Sequence, residues 1–188
     1  MDARAERSRA RLTAAVLALA ADRDASALTV SEVARAAQVH RSTFYEHADS
    51  PSRLLRDALS AELDVVRDRH LREIAPGGLG AALVAVTLDV LDHVEAHAAV
   101  YARALGSGED AVLHAMLSTH FQGSVTALVE SGSVQVPPSV QGSELLARYL
   151  ADGTVGAIDA WLRLPAPRDR ARFLAAYADL VPPWWPLT

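Results

Sequence analysis

The stretch LTVSEVARAAQVHRSTFYEHADSPSRLL, residues 28–55, decides the fold of this chain. Thr29 is a favourable N-cap, and Glu32 three residues later completes a capping box, so a helix is expected to begin there. A tight turn is expected near 37–40, followed by a short polar helix that runs to about residue 47. Ser50 and Pro51 then have the residue types of a second N-cap and a first helical position. The stretch predicts two short helices joined by a tight turn, and the start of a longer third helix.

The second of these helices is polar on its outer side. Val39 and Phe44 are expected to point inward, and the outward residues are His40, Arg41, Ser42, Thr43, Tyr45, Glu46 and His47. A helix that enters the major groove of DNA needs polar side chains at base-edge and phosphate positions and few bulky apolar groups outside. Arg41 has the fork geometry for guanine, whereas the hydroxyls and the histidine can donate to phosphate oxygens. The pattern is typical of a helix-turn-helix.

The charge of the chain, −5, is unevenly distributed. Residues 1–74 contain 12 Arg and 12 acidic residues, whereas residues 75–188 contain 6 Arg and 11 acidic residues. A neutral N-terminal part can still present a basic face, because local potential attracts phosphate. Its most basic run is Arg4, Arg7, Arg9 and Arg11. This run is either a solvated helix end or a phosphate-contacting first turn.

Composition narrows the class of protein. Hydrophobic residues make up 51% of the 188 residues and aromatic residues only 5%, so the cores must consist of Ala, Leu and Val in helices. No run approaches the ~20 apolar residues of a membrane span, and the charged N-terminus lacks the features of a signal peptide. The absence of Cys excludes disulfides and thiolate metal sites. We therefore expect a cytoplasmic, all-α protein without a membrane partner.

The rest of the chain predicts two domains. A first helix is expected over 3–22, and later helices over about 79–105, 109–131, 141–164 and 168–181. Pro76, Gly77 and Gly78 form the best boundary. The predicted arrangement is a helix-turn-helix DNA-binding domain over 1–50, a linking helix over 51–74, and an effector-binding and dimerisation domain over 75–188.

Polar residues on apolar helix faces of the second domain predict a ligand pocket. The candidate wall residues are Thr87, Val90, Val94, His97, Tyr101, Met116, His120 and Phe121. The alternative is that each polar group forms a local hydrogen bond in a packed core. His93 and His97 have the i, i+4 spacing of metal ligands. Because we expect no carboxylate on that face and the chain has no Cys, the sequence predicts no metal and no cofactor.

The helix over 141–164 is apolar around most of its circumference, which requires burial on two sides. A second copy of the chain would cover the outer side, and the alternative is the central helix of a monomeric bundle. The candidate interface residues are Leu145, Tyr149, Gly153, Gly156, Trp161, Phe173 and Tyr177. Trp184 and Trp185 either cap the dimer seam or cover the core.

Residues 12–59 resemble the N-terminal domain of TetR-family transcriptional repressors. The matching positions are Leu28, Thr29, Val30, Val33, Ala34, Ala37, Val39, Ser42, Thr43, Phe44, Tyr45 and His47. The resemblance implies an all-α homodimer that binds operator DNA and a small effector. It also implies that Thr43, Tyr45 and His47 touch phosphates while His40, Arg41, Ser42 and Glu46 lie near bases.

Four residues depart from the family pattern. Gln38 replaces the usual turn Gly, which would cost about 1 kcal/mol if the position needs a positive φ. Ala48 replaces an aromatic residue, and Ser52 and Arg53 replace the usual Lys. Thr29 and Arg53 complete the set of candidate DNA contacts.

These patterns predict a DNA-binding regulator, and specifically a repressor that an effector releases. One rival is a catalytic helical bundle, but the sequence has no nucleophile elbow, phosphate loop or paired carboxylate–histidine metal motif, so we expect no enzyme. The other rival is a helical interaction or ligand-binding protein whose degenerate helix-turn-helix no longer binds DNA.

Overall fold

The computed structural model describes residues 3–106, 111–140, 142 and 144–187, and within these ranges the chain is helical with no strand. The helices are α1 (Ala3–Asp22), α2 (Val30–Ala36), α3 (Arg41–Tyr45), α4 (Pro51–Leu71), α5 (Leu79–Ala96), α6 (Ala98–Gly106), α7 (Ala111–Glu130), α8 (Glu144–Leu162) and α9 (Arg170–Leu180). The all-α prediction is confirmed. None of the helices in the described part of the chain combines the length and the apolar character needed to cross a bilayer.

The first compact unit comprises Met1–Ala61 and His97–Leu113. Its core contains Leu12 and Val16, one turn apart on α1, together with Val33 and Phe44, all fully buried. This is the inward face that the apolar spacing predicts. The helix-turn-helix of α2 and α3 therefore rests on a rigid apolar base with its polar residues outside.

The second compact unit comprises Glu62–Ala96 and His114–Thr188. Its apolar cluster draws on α5, α7 and α8 and includes Leu83, Leu128 and Leu150. The C-terminal tail belongs to the same cluster, because Trp185 is only 8% exposed and Trp184 packs partly buried against the core. Of the two predicted roles for this tail, covering the core is the one observed.

The predicted helix over 79–105 is two helices. α5 ends at Ala96, and the carbonyl of His97 accepts from the amides of Val100 (2.9 Å) and Tyr101 (3.1 Å) to begin α6. No Gly or Pro marks this break, so the apolar periodicity runs through it.

The boundaries of the compact units differ from the predicted domain boundary near residue 75, because α6 packs on α1 in the first unit. The predicted starts of two later helices, at 109 and 141, lie outside the described residues.

Candidate nucleic-acid interface and ligand cavity

The entry to the helix-turn-helix is held by the predicted capping box. The Thr29 hydroxyl donates to Glu32 Oε2 (2.7 Å) and accepts from the Glu32 amide (3.3 Å), while the Thr29 amide donates to the same carboxylate (2.8 Å). Arg23 Nη2 donates to Glu32 Oε1 (2.6 Å), and this bond and the Thr29 bonds lower the pKa of Glu32 to about 2. A DNA contact by the Thr29 hydroxyl, which the sequence predicts, would have to compete with this network.

The turn between α2 and α3 contains the residue that departs from the family pattern. Gln38 has a φ of 55°, in the left-handed region that favours glycine. Its side chain is held by Arg11, whose Nη2 donates to Gln38 Oε1 (2.8 Å). The sequence predicts a strain cost for Gln38 if its position needs a positive φ, and the structure has that positive φ. The hydrogen bond from Arg11 of α1 offsets part of the strain energy.

The short helix α3 is exposed in the way that DNA reading requires. Phe44 is fully buried and anchors it, and Tyr45 stands outside with 53% of its surface exposed. His40, Arg41, Ser42 and Glu46 are also exposed, whereas Thr43 and His47 are half-buried. The seven polar residues that the sequence singled out thus lie on the outer side of the first unit or at its margin.

His47 has a buried ring nitrogen, Nε2. Its Nε2 has no hydrogen-bond partner in the described part of the chain. A phosphate contact by this side chain therefore falls to Nδ1 unless the ring rotates. The sequence predicted the contact without distinguishing the two nitrogens.

A groove runs beside α3 and is lined by the basic face of α1. Arg4, Arg7 and Arg11 recur at i, i+3 and i+7, so they share one side of the helix, and they line the groove together with His40 and Thr43. The basic N-terminal run thus lies next to the polar helix. This placement favours the phosphate-contacting interpretation over that of a merely solvated helix end.

Arg53, near the start of α4, already has a partner. Its Nε donates to Asp57 Oδ2 (2.9 Å), and this bond holds the pKa of Arg53 above its ordinary value. Ser50 caps α4 as predicted, since its Oγ accepts from the Arg53 amide (3.2 Å). A phosphate at this position would compete with Asp57 for the guanidinium.

The second unit encloses a cavity of about 100 Å³. Its wall is mostly apolar and is formed by Arg67, Leu71, Leu83, Val86, Thr87, Val90, Leu91, His120, Phe121, Ser124, Val125, Leu128, Leu150, Thr154, Ile158, Phe173, Tyr177, Trp185 and Leu187. Helices α4, α5, α7, α8 and α9 and the C-terminal tail all contribute.

Only part of the predicted pocket lines this cavity. Thr87, Val90, His120 and Phe121 are on its wall. Val94, His97, Tyr101 and Met116 are not among its wall residues; Val94 and Tyr101 are fully buried and Met116 nearly so. For Val94, Tyr101 and Met116 the packed-core alternative is the better description. The helical wheel identified the apolar faces but could not show which part of each face borders a void.

The hydroxyl groups of the wall are bonded within the protein. Thr87 donates to the Leu83 carbonyl (2.7 Å), Ser124 to the His120 carbonyl (3.1 Å) and Thr154 to the Leu150 carbonyl (2.7 Å). The Tyr177 hydroxyl lies 2.5 Å from Thr154 Oγ1, and burial raises its pKa. Sequence reasoning missed Ser124 and Thr154.

Two buried histidines are paired with carboxylates of α4. His120 Nδ1 lies 3.4 Å from Asp64 Oδ1, and His93 Nδ1 lies 3.2 Å from Glu62 Oε2. Burial, together with the nearby charge of Arg67, lowers the pKa of His120 although Asp64 opposes the shift. The expectation that no carboxylate faces His93 is wrong, because Glu62 comes from a different helix.

The predicted interface residues fall into two groups. Leu145 (69% exposed) and Tyr149 (63% exposed) lie on the open side of α8 with Gly153 and Gly156. Trp161 is instead buried in its own protomer, and Phe173 and Tyr177 stack on each other at the cavity wall. Phe173 and Tyr177 line the cavity because α9 lies against α5, and the Phe173 ring also contacts the ring of Trp161.

Comparisons with known proteins agree with this geometry. The family model described as bacterial regulatory proteins, tetR family, matches residues 12–58. A tetR-family transcriptional regulator from Streptomyces coelicolor is similar in structure, with 25% identity, 95% of this chain and 84% of that chain covered, and a TM-score of 0.61. None of the curated proteins is similar enough in sequence to count as a match.

Two further solved structures share the fold. A TetR transcriptional regulator from Streptococcus agalactiae 2603V has 18% identity, with 95% of each chain covered and a TM-score of 0.68. The dihydroxyacetone kinase operon activator DhaS has 12% identity, with 92% of this chain and 93% of that chain covered and a TM-score of 0.62.

Proposed function

We propose that this chain, a member of the TetR family of DNA-binding transcriptional regulators, is a homodimeric repressor that a small molecule releases from its operator. The observation that supports this most directly is the exposed polar side of α3, set beside the arginines of α1. The protein would act by binding rather than by catalysis, and it would work where the DNA is, in the cytoplasm.

In this proposal α3 enters the major groove. Arg41 reads a base edge, with His40, Ser42 and Glu46 near neighbouring bases, while Thr43, Tyr45 and His47 contact phosphates. Arg4, Arg7 and Arg11 add phosphate contacts from α1. Both sets of side chains face outward on one rigid unit, so a single approach to the duplex engages them together.

Two copies are needed to give a palindromic operator its affinity. The open face of α8, with Leu145, Tyr149, Gly153 and Gly156, is the surface that we assign to the dimer. Large exposed apolar side chains beside two glycines suit a close helix–helix contact. The two copies of α3 would then lie about one helical turn of DNA apart, roughly 34 Å.

The cavity of the second unit supplies the regulatory site. A ligand there contacts residues of α5, α7, α8 and α9 at once, so it stabilises whichever packing of these helices fits it best. If that packing no longer matches the spacing of two major grooves, the ligand lowers the affinity for DNA. DhaS, described as an operon activator, has the same fold, and an effector that raised the affinity for DNA would contradict the repressor proposal.

Salt-dependent binding to duplex DNA tests the proposal. The probe is the DNA upstream of the chain's own gene, with a random duplex of equal length for comparison. Binding through several phosphates gives a steep fall of log K with log salt concentration. A slope near zero would instead support the interaction protein with a degenerate helix-turn-helix.

Single substitutions then separate the roles. Arg41→Ala should change base preference, with a loss of about 1–3 kcal/mol at one position. Tyr45→Phe and His47→Ala should weaken binding to all sequences, and Arg7→Ala should reduce the salt slope by about 1. Arg163→Ala, a solvent-exposed change just beyond the end of α8, is the control. Equal loss of base preference in every variant would contradict these assignments.

A further inference from the structure

The cavity of the second unit has wall hydroxyls whose protons are already in use. A hydroxyl has one proton to donate and two lone pairs that accept. Thr87 and Ser124 each give their proton to a backbone carbonyl of their own helix, at 2.7 Å and 3.1 Å. Each oxygen is left with accepting capacity only.

The same reasoning fixes the direction of the bond between Tyr177 and Thr154. Thr154 Oγ1 donates to the Leu150 carbonyl at 2.7 Å, so it has no proton left for its neighbour. In the 2.5 Å contact between the two hydroxyls, Tyr177 must therefore be the donor. The phenol oxygen keeps free lone pairs at the cavity wall.

His120 adds an acceptor of the same kind. It is buried, and the lowered pKa means that its ring is neutral at pH 7. Its Nδ1 lies near the Asp64 carboxylate, which can accept a proton but has none to give. Nδ1 is therefore the protonated nitrogen, and Nε2 is a bare acceptor.

Charge in a ligand is disfavoured. Among the wall residues that the structure describes, Arg67 is the one with a cationic side chain, and it lies 2.9 Å from Asp64 and 3.4 Å from Asp68, so a ligand carboxylate would meet two like charges beside it. A ligand cation would lose its hydration in a mostly apolar wall whose own acceptors are neutral, and the nearby Asp64 and Asp68 are already paired with Arg67.

From these observations we infer that the cavity binds an uncharged, ring-sized molecule that donates a hydrogen bond through a hydroxyl or N–H group. The volume, about 100 Å³, is of the same scale as the roughly 150 Å³ apolar cavity that accommodates benzene. Aromatic residues Phe121, Phe173 and Trp185 provide surfaces for a ring. The inference deepens the proposed function by giving the chemical class of the effector.

Four small probes of similar shape test it on the full-length protein without DNA. Phenol can donate a hydrogen bond, and toluene can neither donate nor accept one. Benzaldehyde can only accept one, and benzoate is an anion. We expect calorimetry to show phenol binding about 2- to 10-fold more tightly than toluene. Benzaldehyde should bind at least 10-fold more weakly than phenol, and benzoate should not bind. Benzaldehyde or benzoate binding as tightly as phenol, or no binding by any probe, would overturn the inference.

Two variants change which hydrogen-bond donors and acceptors the cavity wall offers to a ligand. Tyr177→Phe removes one of these acceptors, so it should weaken phenol binding, and retained toluene binding reports that the cavity is intact. Thr154→Val removes the acceptor of the Tyr177 proton with little change of shape. The freed proton then points to an accepting ligand, so benzaldehyde affinity should rise several-fold above that of the native chain. Thr126→Val, the same chemical change at an exposed position of α7 outside the cavity wall, should leave every probe unaffected.

Failure of this inference differs from failure of the proposed function. If the protein binds duplex DNA with a steep salt dependence but shows no preference for donors, only the ligand class is wrong. If the donor preference holds while no duplex is bound, the cavity assignment stands and the regulator proposal fails. An unchanged benzaldehyde affinity in Thr154→Val would overturn the proton assignment itself.

Discussion

At the scale of single residues, the structure shows local backbone strain and a shifted pKa. Gln38 is the clearest case of strain. Its left-handed φ of 55° is a conformation that a side chain with a Cβ makes costly. Sequence comparison with the family pattern shows that a glycine is missing here, but only the structure shows that Arg11 bonds the glutamine side chain. Local strain and a tertiary contact oppose each other at this turn.

Gln38→Gly should raise the free energy of unfolding by about 1 kcal/mol, because removing the Cβ strain outweighs an exposed hydrogen bond. Urea titration of the native and variant chains measures the difference. Gln38→Ala keeps the strained φ and loses only the Arg11 bond, so it should be slightly destabilising. If glycine and alanine have the same effect, the strain at this position is negligible.

His120 predicts how stability depends on pH. Its folded pKa lies below the ordinary 6.5, so under mildly acidic conditions the unfolded chain binds more protons than the folded chain. Stability should therefore fall as pH drops from 6.5 towards the folded pKa, and be unaffected by this residue above 6.5. His120→Gln should flatten that part of the curve.

The matched control for this experiment is His114→Gln, an exposed histidine on the same helix. Denaturant titrations at a series of pH values compare the two variants. A pH profile that changes equally in both would show that burial of His120 is not the cause.

Among the elements, α6 belongs to the first compact unit, although it lies within residues 75–188, which the sequence assigned to the second domain. It packs on α1, and Arg103 of α6 donates to the carbonyls of Ala20 (2.7 Å) and Ala21 (3.0 Å) at the end of α1. The last carbonyls of a helix have no partners of their own and carry its negative dipole end, so an arginine there is doubly favourable. This contact ties α6 to the DNA-binding unit.

Replacing Arg103 by Met should lower the free energy of unfolding by about 2 kcal/mol, since charged hydrogen bonds to partly buried carbonyls are lost. Arg163→Met provides the comparison, because Arg163 forms only an exposed i, i+4 pair with Asp159 and should matter by less than about 0.5 kcal/mol. Chemical denaturation followed by circular dichroism measures both. Equal, small effects would mean that the Arg103 contact does not stabilise α1.

At the scale of the whole molecule, the proposed dimer predicts where two copies would meet. Gly153 and Gly156 lie on the open side of α8, and within the described part of the chain a Cβ built at either position meets nothing within 4 Å. Crowding by the described residues therefore does not require glycine at these positions. A close-packed partner helix would supply the reason.

Gly153→Ala and Gly156→Ala should weaken dimerisation measured by sedimentation equilibrium, because added methyl groups separate the two helices. In the protomer alone the same changes should stabilise α8 by about 1 kcal/mol each, the difference in helix propensity. Gly123→Ala on α7 is the control, since its Cβ also meets open space and the residue is outside the assigned face. If all three variants stabilise without affecting self-association, the dimer does not form through this part of α8.

The sequence by itself determined the local structure of the N-terminal part. Capping residues at Thr29 and Ser50, the apolar spacing on α1 and the buried Phe44 each depend on neighbours within a few residues, so the pattern carries the information. The all-α fold class, the first and last residues of α1 and the outward side of α3 all follow from such local rules.

Only the tertiary structure decided which faces of the C-terminal helices enclose a void. Tyr177 and Phe173 resemble interface residues on a wheel, yet they line the cavity because α9 packs on α5. The carboxylates beside His93 and His120 come from α4, some 30 to 56 positions earlier in the chain. An amphipathic pattern indicates that one face of a helix is buried. Which element covers that face depends on packing between residues far apart in the sequence.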